Sequence, residues 1–243
     1  MHTALPLRAL ALFVACLTAP GCMSMGAMQR ADTLKPGEYQ VLIETSVQSA
    51  VGEDLGDGRR ISWPYFAAHY RRGLIEGVEF SVGAAMLALQ GALKVRLDDP
   101  LQDGVMVSIA PAIGGSVWGE DENESGILTA TLPVLLGWRV GKQGQIVLSP
   151  RAQYLHTFPS QNSTREPIKL FGVGTSLGAL VPIARNVGVM PEVSVLVPFG
   201  TERFKLYERS SPRIGGTHGV LFQVGLGLIL RGLSEPDAEG QAR

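Results

Sequence analysis

From Tyr39 onward the chain alternates apolar and polar positions with a period of two, in segments of about ten to fourteen residues separated by polar turns. The last segment is the plainest. Val220, Phe222, Val224, Leu226, Leu228 and Leu230 fall on one face, and Leu221, Gln223, Gly225, Gly227, Ile229 and Arg231 on the other. The pattern predicts ten strands, near 38–48, 60–71, 75–86, 89–97, 105–118, 126–140, 145–157, 168–182, 186–198 and 220–231, with eight as the smaller alternative. Segment 60–71 leaves its phase open, because aromatics occupy both parities.

The connections alternate too. Long polar gaps follow the first, fifth, seventh and ninth strands, and tight turns follow the second, fourth, sixth and eighth. Alternating loops and turns predict an all-β, up-and-down transmembrane barrel with both termini on the turn side. One face of the strands is nearly continuous Val, Leu, Ile and Phe, whereas the other carries Gly, Ser, Gln and charges. Small barrels that hide an apolar interior need bulk inside, so the oily face is expected to meet lipid. Tyr39, Trp118, Trp138, Phe171 and Phe199 near strand ends fit interfacial girdles. Pro111, Pro133, Pro150 and Pro191 run against the scheme, because each removes a ladder hydrogen bond from a wall that has no free edge.

Charge narrows the function classes. With 21 Lys+Arg against 22 Asp+Glu there is no basic excess to bind nucleic acid. Hydrophobic residues at 45% exclude a disordered chain, and no apolar run reaches the ~18 residues of a membrane helix.

The first 22 residues read as an address. Ala9 to Ala19 is an apolar core after Arg8, too short to span a bilayer. Ala19-Pro20-Gly21-Cys22 resembles the bacterial lipobox, which implies cleavage before Cys22 and its acylation. Phe13-Val14-Ala15-Cys16 is a rival match, and cleavage after Ala27 or Ala31 is the plain secretory alternative. The expected layout is a signal peptide over 1–21, a periplasmic tether over 22–37, a barrel over 38–232 and a periplasmic tail over 233–243. Both cysteines fall in the first 22 residues, so the mature domain has none for a disulfide.

Tyr70-Arg71-Arg72-Gly73-Leu74-Ile75-Glu76-Gly77-Val78-Glu79 resembles hairpins of small bacterial outer-membrane β-barrel proteins. Gln223-x-Gly225-x-x-Leu228-x-Leu230 is similar to the final-strand signal read by the barrel assembly machinery. The resemblance implies an outer-membrane location and that assembly route, with membrane lipid as the surroundings. It implies no activity.

On the polar face the candidate lumen network is Glu44, Glu79 and Glu192 against Lys94, Arg96 and Arg151, with Gln90, Gln153 and Gln223 beside them. Buried charges of this kind must pair, so a salt-bridged, poorly conducting lumen is expected. For an enzyme, His156 with Ser160, Ser163 and Glu166 is the conceivable set; a polar rim histidine is the plainer reading. His and carboxylates show no metal-ligand spacing, and no cofactor is expected. Gly172-Val173-Gly174-Thr175-Ser176-Leu177-Gly178 looks like a dinucleotide loop, but no helix follows and it reads as a strand. Two sequons, at Asn123 and Asn162, and the acidic run Glu120–Glu124 read as polar loops. The expected role is structural or envelope interaction. A lipid-modifying hydrolase and a soluble lipocalin-like barrel with inverted faces are the alternatives.

Overall fold

The computed structural model describes residues 26–51, 60–85, 88–98, 104–118, 125–141, 143–158, 167, 169–199 and 220–232. Eleven strands form one antiparallel sheet: β1 (Tyr39–Val51), β2 (Arg60–Ile75), β3 (Val78–Ala85), β4 (Ala88–Arg96), β5 (Val105–Ile109), β6 (Ala112–Trp118), β7 (Ser125–Val140), β8 (Gly144–Phe158), β9 (Lys169–Ala184), β10 (Val187–Phe199) and β11 (Val220–Gly232). Apart from β5 and β6, each strand pairs with its neighbours along the chain, and β1 pairs with β11 from Tyr39↔Gly232 to Val51↔Val220. That seam closes the barrel. The strands β5 and β6 are two halves of one pass, both paired to β4 and β7, so the wall has ten passes.

Pro111 explains the split. It has no N–H to give the ladder, and Ala110-Pro111 separates β5 from β6. The chain is carried across the gap by two backbone bonds, Leu93 N–H to Pro111 O and Ala110 N–H to Pro133 O, both 3.1 Å. The other prolines do not end strands. The β7–β8 ladder skips from Pro133↔Arg151 to Leu136↔Leu148 without changing register, and Pro150 and Pro191 still pair on their other sides. The wall absorbs each proline as a local gap.

Period-two alternation decides what faces outward. Val193, Val224, Leu226 and Leu177 are exposed, while Glu192, Gln223 and Ser176 on the same strands are almost fully enclosed. In β2 the phase puts Tyr65 inward at 1% exposure and Phe66 outward at 54%, which resolves the ambiguous segment. The apolar face therefore points away from the lumen, opposite to what a lipocalin-like barrel needs. Exposed aromatics gather at both ends. Tyr39 and Tyr70 stack at 6.3 Å near the turn end, and Trp138 of β7 lies at the same end on the opposite side of the wall, while Phe158, Phe171 and Phe199 lie at the loop end. The side chain of Trp118 lies outside the described residues. A 13-residue strand tilted by ~40° rises ~30 Å, enough to cross the hydrocarbon layer.

One substitution tests this face. Leu226, mid-strand and 47% exposed, would carry a charge into hydrocarbon as Leu226→Arg. In lipid vesicles the change should cost about 2–4 kcal/mol, read as a lower urea midpoint for loss of folded gel mobility. An unchanged midpoint would mean that this face does not lie in lipid.

Candidate functional site in the barrel lumen

Residues 26–38 do not hang outside the wall as a tether; they run through the barrel. The segment enters β1 at the turn end, where Pro36 bridges Gly73 and the pair Gly37 N–H to Gly73 O and Gly73 N–H to Glu38 O, each 3.0 Å, ties it to β2. At its other extreme Gly26 lies among the side chains of Glu44, Glu192 and Gln223. Glu44 is the sixth residue of β1 and Glu192 the sixth of β10, so Gly26 reaches about the middle of the wall.

The wall satisfies the segment's backbone by side chains. Ala27 N–H donates to Glu192 Oε1 at 2.7 Å and Met28 N–H to Glu192 Oε2 at 2.6 Å. Ala31 N–H donates to Gln145 Oε1 at 2.8 Å, and Leu34 N–H to Glu79 Oε2 at 3.1 Å. Arg71 Nη2 donates to Met28 O at 3.0 Å, and the Ser108 hydroxyl donates to Ala31 O. An extended segment without a ladder partner needs each of these bonds when buried.

Apolar packing fixes the rest. Met28, Ala31 and Leu34 are 1%, 0% and 3% exposed. Met28 and Ala31 join Leu42, Met106, Leu135, Val147, Met190 and Ile229 in one buried cluster. Glycines in the wall make the room: a Cβ on Gly137 would stand 2.5 Å from the Ala31 Cβ, and one on Gly225 would strike the Met28 methyl and come within 2.7 Å of Ser46 Cβ. Met28 itself adopts φ +35°, a left-handed value that a long side chain takes only when its surroundings impose it. The segment is seated specifically.

Charged groups surround it in the expected places, with changes. Lys94 Nζ lies 2.8 Å from Glu79 Oε2, both almost fully buried. Glu44 Oε1 accepts from Gln223 Nε2 at 2.8 Å, and Gln48 Nε2 donates to Gln223 Oε1 at 3.2 Å. Glu192 also accepts from Ser194 Oγ at 3.1 Å. Arg151 and Gln153 are buried facing inward, and Gln90 is half-buried. Arg96 stands apart. Its Nη2 meets Asp98 Oδ2 at 2.6 Å, at the turn that follows β4. Burial pushes the Asp98 carboxyl up, but hydrogen bonds from Arg96 and from Val107 N–H outweigh it and hold it below the usual range.

Arg71, His69 and Glu38 are among the interior residues that escaped the sequence reading. Arg71 and His69 sit on the strand whose phase was open. Glu38 pairs with Arg231 across the seam at 2.6 Å. The segment had one signal of its own, since Met28, Ala31 and Leu34 recur every third residue.

His156 faces the same side as Tyr154 and Phe158. Its Nδ1 is 3.2 Å from the Tyr154 hydroxyl, and its ring stacks on Phe158 at 4.4 Å. Ser160, Ser163 and Glu166 lie outside the described residues, as do Cys22, Glu120–Glu124, Asn123, Asn162 and the tail 233–243. Among the described residues no cluster of His, Cys, Asp and Glu has the geometry of a metal site.

No protein-family model matches this chain, and no curated protein does. Solved structures with a similar architecture include Neisserial surface protein A, at 8% identity and TM-score 0.42 over 80% of this chain and 98% of that one. The translocator domain of the autotransporter NalP from Neisseria meningitidis aligns at 13% and 0.41, over 94% and 95%. The outer membrane protease OmpT from Escherichia coli aligns at 9% and 0.40, over 83% and 100%.

Proposed function

We propose that the protein is an outer-membrane β-barrel lipoprotein with a structural or envelope-interaction role, whose lumen is closed to ions by its own residues 26–38. The observation that carries the reading is the bonding of that segment, mid-barrel, to Glu192 through two consecutive N–H groups. An apolar exterior with aromatic ends supports the membrane location. Insertion by the barrel assembly machinery rests on the β11 pattern Gln223-x-Gly225-x-x-Leu228-x-Leu230. Acylation at Cys22 rests on the lipobox-like run before it.

Cell fractionation with radiolabelled palmitate tests the location and the anchor together. The intact chain should sit in the outer membrane, run at different mobilities boiled and unboiled, and carry label that Cys22→Ser removes. Release of the intact chain by salt sinks the barrel in lipid. Label that survives Cys22→Ser sinks the anchor alone.

A further inference from the structure

We propose that the lumen holds a binding site for one small oxoanion, of phosphate or nitrate chemistry, between Arg71 and Arg151. Both arginines line a cavity that lies against the seated segment and also meets His69, Gln90, Thr131 and Glu44. It has room for about three water molecules. Arg71 is 2% exposed and Arg151 7%. The Nε of Arg71 and the Nε and Nη2 of Arg151 are buried with no hydrogen-bond partner.

The nearby carboxylates do not serve them. Glu192 gives its oxygens to Ala27, Met28 and Ser194, and Glu44 gives Oε1 to Gln223. Among the described residues no carboxylate comes within 4.0 Å of either guanidinium. Buried guanidinium donors without acceptors are strongly disfavoured. Arg71 spends only Nη2, on Met28 O, three donors of the two arginines stay unpartnered, and Glu44 is the one carboxylate in the cavity lining. Water supplies acceptors there but no charge. A planar or tetrahedral oxoanion supplies both, and it matches the two-pronged guanidinium fork as a spherical halide does not. Gln90 and Thr131 add polar groups to the lining.

The site rests on the seated segment, because Gly26 and Ala27 form part of its lining. Equilibrium dialysis of the detergent-purified full chain against radiolabelled inorganic phosphate tests it. One phosphate should bind per chain, saturably, with nitrate competing better than chloride at equal ionic strength. Arg151→Gln should weaken binding at least tenfold while unboiled gel mobility stays the same. Arg151→Lys, which keeps the charge but loses the fork, should bind at an intermediate level and serves if the glutamine variant does not fold. No saturable binding, equal binding by Arg151→Gln, or chloride competing as well as nitrate overturns the proposal. A full chain that conducts steadily in bilayers would instead undo the closed lumen, so the two failures are told apart.

Discussion

Protein lacking only residues 26–37 will hold steady conducting states in planar bilayers where the intact chain stays silent. The wall does not depend on the segment for its ladder, because the β1–β11 seam pairs from Tyr39 to Val51 without it. Deletion leaves Glu192, Gln145, Glu79, Ser108 and Arg71 facing the lumen, where water replaces the lost backbone partners. Such exchange is close to neutral per bond, so the barrel stays folded and keeps its heat-modifiable mobility. A milder route reaches the same end. Gly137→Ala places a methyl 2.5 Å from the Ala31 Cβ, and neither group is the end of a flexible side chain. The wall is hydrogen-bonded on both sides, so the segment is what yields, and intermittent openings are expected. If the deleted chain remains folded and silent, wall side chains alone close the lumen.

Replacing Lys94 by Met will destabilise the intact barrel by about 3–5 kcal/mol, because it strands the buried Glu79. The Glu79 carboxylate keeps only the Leu34 N–H at 3.1 Å once Lys94 is gone from 2.8 Å. Glu79→Gln should cost a similar amount by stranding the ammonium. Removing both charges, as Glu79→Gln with Lys94→Met, should recover most of the loss, since a buried pair spends most of its attraction on desolvation. The midpoint of urea unfolding in vesicles, read by gel mobility, measures all three. The same Lys94→Met change in the chain lacking 26–37 should fall to ~1 kcal/mol or less, as for a pair in contact with water. Equal costs in the two backgrounds would show that the segment does not keep this pair dry.

The architecture was legible because two-residue periodicity is a local signal. The polar faces of β8, β9, β10 and β11 could be read from single segments, and Glu44, Glu79, Glu192 and Lys94 all face inward as their parity requires. Pro111 was visible as a problem, although not as a split strand bridged from β4 and β7. The filled lumen was less legible. Residues 26–38 have no strand or helix period, and their partners come from β2, β3, β5, β8 and β10, far away in sequence. The glycines of the inner face carried the missing information. A narrow barrel is filled by its own side chains, so a wall that presents Gly137, Gly225 and Gly227 inward leaves space for another part of the chain. Arg71 and His69 were missed for a different reason, since aromatics on both faces of β2 hid its parity.

The bond between Met28 and Glu192 spans 164 residues of chain, and this bears on the order of folding. Contacts so distant carry a large loop-closure cost if they form first. The seam removes that cost. Once β1 zips onto β11, beside β10, the segment leading into Tyr39 is already held at the barrel mouth, and only its own residues remain to be ordered. Ordering them costs on the order of 1–2 kcal/mol of backbone entropy each, which the Glu192, Gln145 and Arg71 bonds and the packing of Met28 and Ala31 must offset together. Residues 26–38, made before the wall in synthesis, are therefore the last to find their places. Opening the β1–β11 seam parts the strand that continues the segment from the strand that pairs with β10, so loss of the seam draws the segment away from Glu192.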